Sequence, residues 1–157
     1  MNKNLLITGG VGFIGINATE EFLKKSSFGK IIVLDALKFG QDPYKIPIFH
    51  EERITFVKGD INNKNLIDNI LENYNITHLA HLAAESHVDH SIANPNEFVY
   101  SNINGTFNLL EAFRTHWNKN GSLPDWRFLY LSTDEVFGSL NDSEFPFNES
   151  SIHNPSS

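Results

Sequence analysis

The sequence predicts an α/β fold: a Rossmann-type doubly wound parallel sheet, about five strands in the order 3-2-1-4-5. Three observations lead there. Short apolar runs alternate with longer stretches of helical period along most of the chain. The first run opens directly into the glycine series Gly9-Gly10-Val11-Gly12-Phe13-Ile14-Gly15. The second run, Ile31-Ile32-Val33-Leu34, is apolar without alternation, as a strand buried on both faces requires, and it ends in Asp35.

The elements follow in order. Asn4 to Thr8 reads as the first strand, and Phe13, Ile14, Ala18, Phe22 and Leu23 then recur at helical spacing. Lys30 to Asp35 is the second strand. Ile54 to Val57 is the third, running into Gly59-Asp60. Leu66, Ile67, Ile70, Leu71 and Tyr74 make one apolar helix face, and Thr77 to Ala84 reads as the fourth strand. A long helix comes next, with Asn94 at its N-cap and Pro95 at its first position, carrying apolar residues from Phe98 to Trp117. Gly121 to Asp125 is a loop and Arg127 to Ser132 the fifth strand; from Gly138 the sequence is polar and aperiodic. Strand-helix alternation implies right-handed crossovers and helices on both faces of the sheet.

Composition narrows the function. The 157 residues suffice for one core, and residues 1–157 are expected to form a single Rossmann-type domain, incomplete for want of a sixth strand. Twelve basic against nineteen acidic residues leave a formal charge of −7, which argues against a nucleic-acid partner. There is no cysteine, so disulfides and thiolate metal sites are excluded. No apolar run is long enough for a signal peptide or a membrane span, and a cytoplasmic protein is expected.

The glycines mark a phosphate loop. They permit a tight turn, a close approach of backbone to pyrophosphate, and close packing of helix on strand. Unpaired amides at the helix start, with the helix dipole behind them, attract phosphate. Asp35 lies twenty positions beyond Gly15 (35 − 15), where a carboxylate accepts hydrogen bonds from ribose hydroxyls and repels a 2′-phosphate. The expected cofactor is therefore NAD. Asp60 either bonds the adenine amino group or caps the next helix.

Ligands of open α/β sheets bind at the carboxyl ends of the strands. Two stretches fall there, Leu82-Ala83-Ala84-Glu85-Ser86-His87 and Ser132-Thr133-Asp134-Glu135. Small Ala83 and Ala84 let a cofactor lie against backbone. Thr133 offers a hydroxyl beside the paired carboxyls of Asp134 and Glu135, which a site can divide into acid and base. His78 and His81 point to opposite faces of a strand, so no metal site is expected there. Asn102 stands inside the long helix, either facing solvent or bending the helix beside the pocket.

Together these residues resemble the extended short-chain dehydrogenase/reductase family, and within it the dTDP-glucose 4,6-dehydratases. The matching stretches are Ile7 to Gly15, His81 to Asp89, Asn102-x-x-Gly105-Thr106 with Leu109 to Ala112, and Ser132 to Val136. The resemblance implies oxidation of a nucleotide sugar at C4, loss of water across C5 and C6, and return of hydride to C6. It implies that Glu135 removes the C5 proton, Asp134 protonates the leaving hydroxyl, Thr133 bonds the C4 oxygen and Ser86 contacts the substrate. It places Gly9, Gly12, Phe13, Ile14, Gly15, Asp35, Lys38, Asp60, Ile61, Leu82, Ala83, Ala84 and Ser101 at NAD. Lys38 stands where the family usually carries threonine.

In that family a Pro-Ser-Ser like Pro155-Ser156-Ser157 leads into a Tyr-x-x-x-Lys segment holding the base for C4 oxidation. Four positions after Tyr44, Tyr74, Tyr100 and Tyr130 stand Ile48, His78, Asn104 and Asp134, none of them lysine. The expectation is a dehydratase truncated before its redox base and its C-terminal substrate domain, with little activity alone. The competing expectations are a non-catalytic NAD-binding or self-associating module and, disfavoured by Asp134-Glu135, a nucleotide-sugar epimerase. Apolar surface left on the last strand and long helix favours self-association.

Overall fold

A computed structural model describes residues 3–141 and 145–155 of the chain. Ser156 and Ser157, which close the Pro-Ser-Ser read above, lie outside the described residues.

Five parallel strands form one sheet: β1 (Leu5–Thr8), β2 (Ile31–Asp35), β3 (Ile54–Lys58), β4 (His78–His81) and β5 (Arg127–Tyr130), in the order β3-β2-β1-β4-β5. The predicted order and fold class are those observed. Thr8 lies level with Leu34 on one side and His81 on the other, so the strands end together and their loops emerge on one edge. β4 ends at His81 and β5 at Tyr130, short of the predicted Ala84 and Ser132. At that edge the strands part, and Leu82 to Ser86 run as irregular backbone.

Two cores flank the sheet. On one face Leu6, Ile32, Leu34 and Leu79 pack against Ile67, Ile70 and Leu71 of α2 (Lys64–Asn73) and Leu109, Ala112 and Phe113 of α5 (Thr106–Lys119). On the other, Leu5, Ile7, Ile31 and Val33 meet Phe22 and Leu23 of α1 (Phe13–Lys25), with Ile48 and Phe49 from a short 3₁₀ turn. Every residue of Ile31 to Leu34 is wholly buried, which is why that strand shows no alternation.

The long predicted helix is three pieces. α3 (Val88–Ala93), which the sequence did not reveal, precedes α4 (Pro95–Phe98). Asn94 stands at the N-cap of α4, but its side chain makes no capping bond. Val99–Gly105 then follows as a π-helical stretch leading into α5. It sets Gly105 against the β3–α2 loop and Asn102 against the loop after β4. A Cβ on Gly105 would stand 2.4 Å from Ile61 Cδ1, and Asn108 Nδ2 donates to the Ile61 carbonyl at 2.5 Å.

Within the aperiodic C-terminal stretch, residues 145–155 pack back on the turn after β5. Phe147 stacks on Phe137 at 5.1 Å, and the Asn154 amide donates to the Val136 carbonyl at 2.9 Å. Among the described residues no helix is long and apolar enough to cross a membrane.

Adjacent residues of α5 should separate core from surface. Leu109 is wholly buried and Leu110 is 46% exposed. Leu109→Ala should cost about 2–5 kcal/mol in urea unfolding, and Leu110→Ala under about 1 kcal/mol.

Candidate functional site

A cleft of about 430 Å³ opens at the carboxyl edge of the sheet, between the loops that follow β1, β2, β3 and β4. Gly9, Gly12, Phe13, Ile14 and Gly15 form one wall. Asp35 and Lys38 line it from the loop after β2, Asp60 and Ile61 from the loop after β3, Leu82, Ala83, Ala84 and Ser86 from the loop after β4, and Ser101 from the π-helical stretch. The residues named from sequence as cofactor contacts therefore share one cavity, and Ser86 joins them. Leu34, Ala36, Phe39, Gln41, Gly59 and Glu85 also line it and were not foreseen.

The glycine loop has the shape a phosphate requires. Gly9 adopts φ +70°, and a Cβ there would sit 2.7 Å from the Ala83 backbone. A Cβ on Gly15 would meet the Gly9 carbonyl at 2.2 Å, so helix α1 presses directly on the turn. Gly12 differs: a Cβ there would meet only the Gly9 oxygen, at 3.4 Å. Its hydrogen leaves the approach to the amides of Phe13, Ile14 and Gly15 open. Those amides begin the helix and have no intrahelical acceptor. The donor set suits a pyrophosphate.

Asp35 is held in place by backbone. Its Oδ2 accepts from the Val11 amide at 3.0 Å and its Oδ1 from the Leu37 amide at 2.8 Å. Each oxygen retains a lone pair for a hydroxyl in the cleft. Asp60 is likewise locked, Oδ1 accepting from the Asn62 amide at 2.8 Å. It does not cap α2. Asn63 does, accepting from the Leu66 amide at 3.1 Å, because it stands three residues before that amide.

The loop after β4 is fastened from behind. Asn102 Oδ1 accepts from the Glu85 amide and its Nδ2 donates to the Glu85 carbonyl, both at 2.8 Å. Of the two readings of Asn102, the structure favours the residue beside the pocket in a distorted helix. Lys38 Nζ reaches the Glu85 carboxylate at 2.9 Å and that of Glu97 at 3.2 Å. The Glu85 contact, more than that of Glu97, holds the ammonium above the usual lysine range against the opposing effect of burial.

His81 joins the two sides of the cleft. The Thr8 hydroxyl lies 2.7 Å from Nδ1 and that of Thr106 lies 2.9 Å from Nε2. Thr106 donates to the Asn102 carbonyl at 2.7 Å, so its oxygen receives Nε2–H. The Ala83 amide donates to Thr8 Oγ1 at 3.4 Å, leaving the Thr8 hydrogen for Nδ1. Every polar atom of the ring is satisfied by a neutral imidazole. Burial pushes its pKa down to about 4.

Thr133, Asp134 and Glu135 lie outside the cleft walls, one strand over at the same sheet edge. The Glu135 amide donates to Thr133 Oγ1 at 3.3 Å, so the threonine caps the 3₁₀ turn Asp134–Phe137. The hydroxyl lies 3.4 Å from Asp134 Oδ1 and 3.3 Å from Glu135 Oε2. All three side chains face solvent. His78 packs edge-on against Phe28, on the face away from His81, and the described residues hold no cluster fit for a metal ion.

The family model for GDP-mannose 4,6 dehydratase matches residues 6–157. The chain belongs to that family. The dTDP-glucose 4,6-dehydratase of Haemophilus influenzae is 40% identical over 98% of the chain and 46% of its own length. A solved dTDP-glucose 4,6-dehydratase from Streptomyces venezuelae, with NAD bound, superposes with a TM-score of 0.81 at 34% identity, over 97% of this chain and 45% of that one. A UDP-glucose 4-epimerase from Brucella ovis, also with NAD, follows at 27% identity and 0.78, over 98% and 42%. The chain thus spans about half the length of the relatives it matches.

The neutral His81 sets an acid limit on this dehydratase-family chain. An unfolded histidine takes up its proton near pH 6.5, the folded one only near 4. The unfolded state binds more protons in between, so this contribution is intact above pH 6.5 and is lost as pH falls toward 4. His78 and His116, also lowered by burial, act in the same direction. Urea unfolding should show stability falling across that window, and a folded His81→Gln variant should show a shallower fall.

Proposed function

We propose that the cleft binds NAD and that the chain is the dinucleotide-binding portion of a nucleotide-sugar 4,6-dehydratase, a lyase acting on dTDP-glucose. The observation carrying this reading is the pairing of an open glycine loop with a backbone-held Asp35 in one cavity. The amides of Phe13, Ile14 and Gly15 hold the pyrophosphate, Asp35 the adenosine ribose, and Asp60 with Ile61 the adenine side. NAD, when bound, supplies reversible oxidation at the sugar C4.

The dehydration is assigned to the turn after β5. Glu135 takes the C5 proton, Asp134 gives a proton to the departing C6 hydroxyl, and Thr133 hydrogen-bonds the C4 oxygen. Ser86 orients the sugar from the opposite loop. Adjacent carboxyls on a capped 3₁₀ turn support the assignment, since that turn is braced by Phe147 and Asn154. The adjacent carboxyls also favour a dehydratase over an epimerase.

Isothermal titration of the chain with NAD tests the binding half. Saturable binding is expected, and Gly12→Val should weaken it about tenfold or more without unfolding the chain, because only the phosphate approach is filled. No saturation up to the order of 1 mM would remove the proposal.

A second reading concerns assembly. Leu129 and Leu131, 54% and 44% exposed, lie bare on the sheet face that α1 covers elsewhere. We propose that this strip self-associates. Light scattering should show a dimer or larger species for the native chain and a monomer for Leu129→Glu/Leu131→Glu.

A further inference from the structure

Of the charged residues lining the cleft, three are carboxylates (Asp35, Asp60 and Glu85) and one is a cation, Lys38. Lys38 stands three positions past the ribose carboxylate, in the region where dinucleotide folds that accept a 2′-phosphate place a basic residue. In this chain the ammonium is already engaged. It bridges Glu85 on the β4–α3 loop and Glu97 in α4, forty-seven and fifty-nine residues away.

Both ends of this bridge are fixed by the fold. Glu85 has its peptide clamped on both sides by Asn102, and its side chain is only 11% exposed. Leu37, immediately before the lysine, holds φ +56°, a left-handed conformation that a non-glycine residue rarely adopts. The Asp35 carboxylate accepts from the Leu37 amide, and the Leu37 side chain packs on the α1-side core. So the carboxylate that receives the ribose also shapes the turn that presents Lys38 to Glu85.

We infer that the Lys38–Glu85–Glu97 bridge is a determinant of cofactor choice: the two glutamates neutralise the one cation that lines the cleft among the described residues, and so hold the cleft to the unphosphorylated dinucleotide. The inference rests on the dinucleotide reading above and adds to it. Asp35 disfavours the phosphate by repulsion; the glutamates remove the countercharge that would offset it.

A mutant cycle tests this by binding alone, with NAD and NADP titrated into the intact chain. The native chain should bind NAD and prefer it over NADP. Glu85→Gln/Glu97→Gln should narrow that preference about tenfold by strengthening NADP binding, as one released charge-assisted contact allows. Lys38→Met should cancel the gain in the double variant. Far-UV circular dichroism reports that each variant is folded, and Glu97→Gln alone, at a residue that does not line the cleft, should give part of the shift.

A native preference that none of the glutamate variants alters would overturn the inference while leaving NAD binding intact. A gain that survives Lys38→Met would overturn it too. A native chain that binds neither dinucleotide would overturn the dinucleotide reading and this inference together.

Discussion

Because β1 and β4 are neighbours in the sheet while α1 and α5 cover opposite faces, the chain must part between the ends of those two strands. One loop turns toward each face and a crevice is left between them. Doubly wound sheets bind ligands at such reversals. The reversal demands that Gly9 and Ala83 come closer than any side chain would allow. That contact forces glycine with positive φ at the end of β1, and it puts the small Ala83-Ala84 pair opposite. The phosphate-loop geometry and the small residues of the loop after β4 thus follow from one topological constraint.

Strands that diverge lose ladder hydrogen bonds, and something else must hold the crevice edges at a fixed separation. The run from the Ala83 amide through Thr8, His81 and Thr106 to the Asn102 carbonyl does so. It spans β1, β4 and the π-helical stretch. Asn102 then returns with its own side chain to clamp Glu85. An ionised ring would serve less well: it presents two donors, so the bond between Thr8 and Nδ1 would have to reverse and the Thr8 hydrogen would lose its acceptor there. The π stretch belongs to the same design, since such bulges concentrate at functional sites and re-aim the residues they contain.

Much of this was legible in the sequence because the determinants are local. Strand order, the glycine turn and Asp35 depend on apolar runs and spacings that a single chain displays openly. The parts that escaped depend on distant partners. Glu85 lay inside a stretch already singled out, yet nothing near it announces Lys38 or Asn102. The segment 145–155 has no period because it adds no regular element; it contributes two ring contacts on Phe137, from Phe147 and His153, and one amide to the Asp134–Phe137 turn. Asp60 had two admissible roles at sequence level, and the nearer Asn63 took the cap. A tail contact or a helix bulge carries no repeating signature for a periodicity argument to find.

The charge balance of the cleft bears on how an acidic chain can hold a diphosphate at all. With Lys38 engaged, the lining presents carboxylates and an occupied cation, so attraction for phosphate has to come from oriented amides at the start of α1. Those dipoles are fixed by the fold and require no counterion to be displaced, unlike an array of lysines. Gly12 is the point where that arrangement is most exposed to substitution: the fold tolerates a side chain there, whereas the open path to the amides does not. A net charge of −7 is therefore compatible with an anionic ligand. The acidic residues are repelled only where they face the phosphates, and at that wall the chain presents glycine and backbone N–H.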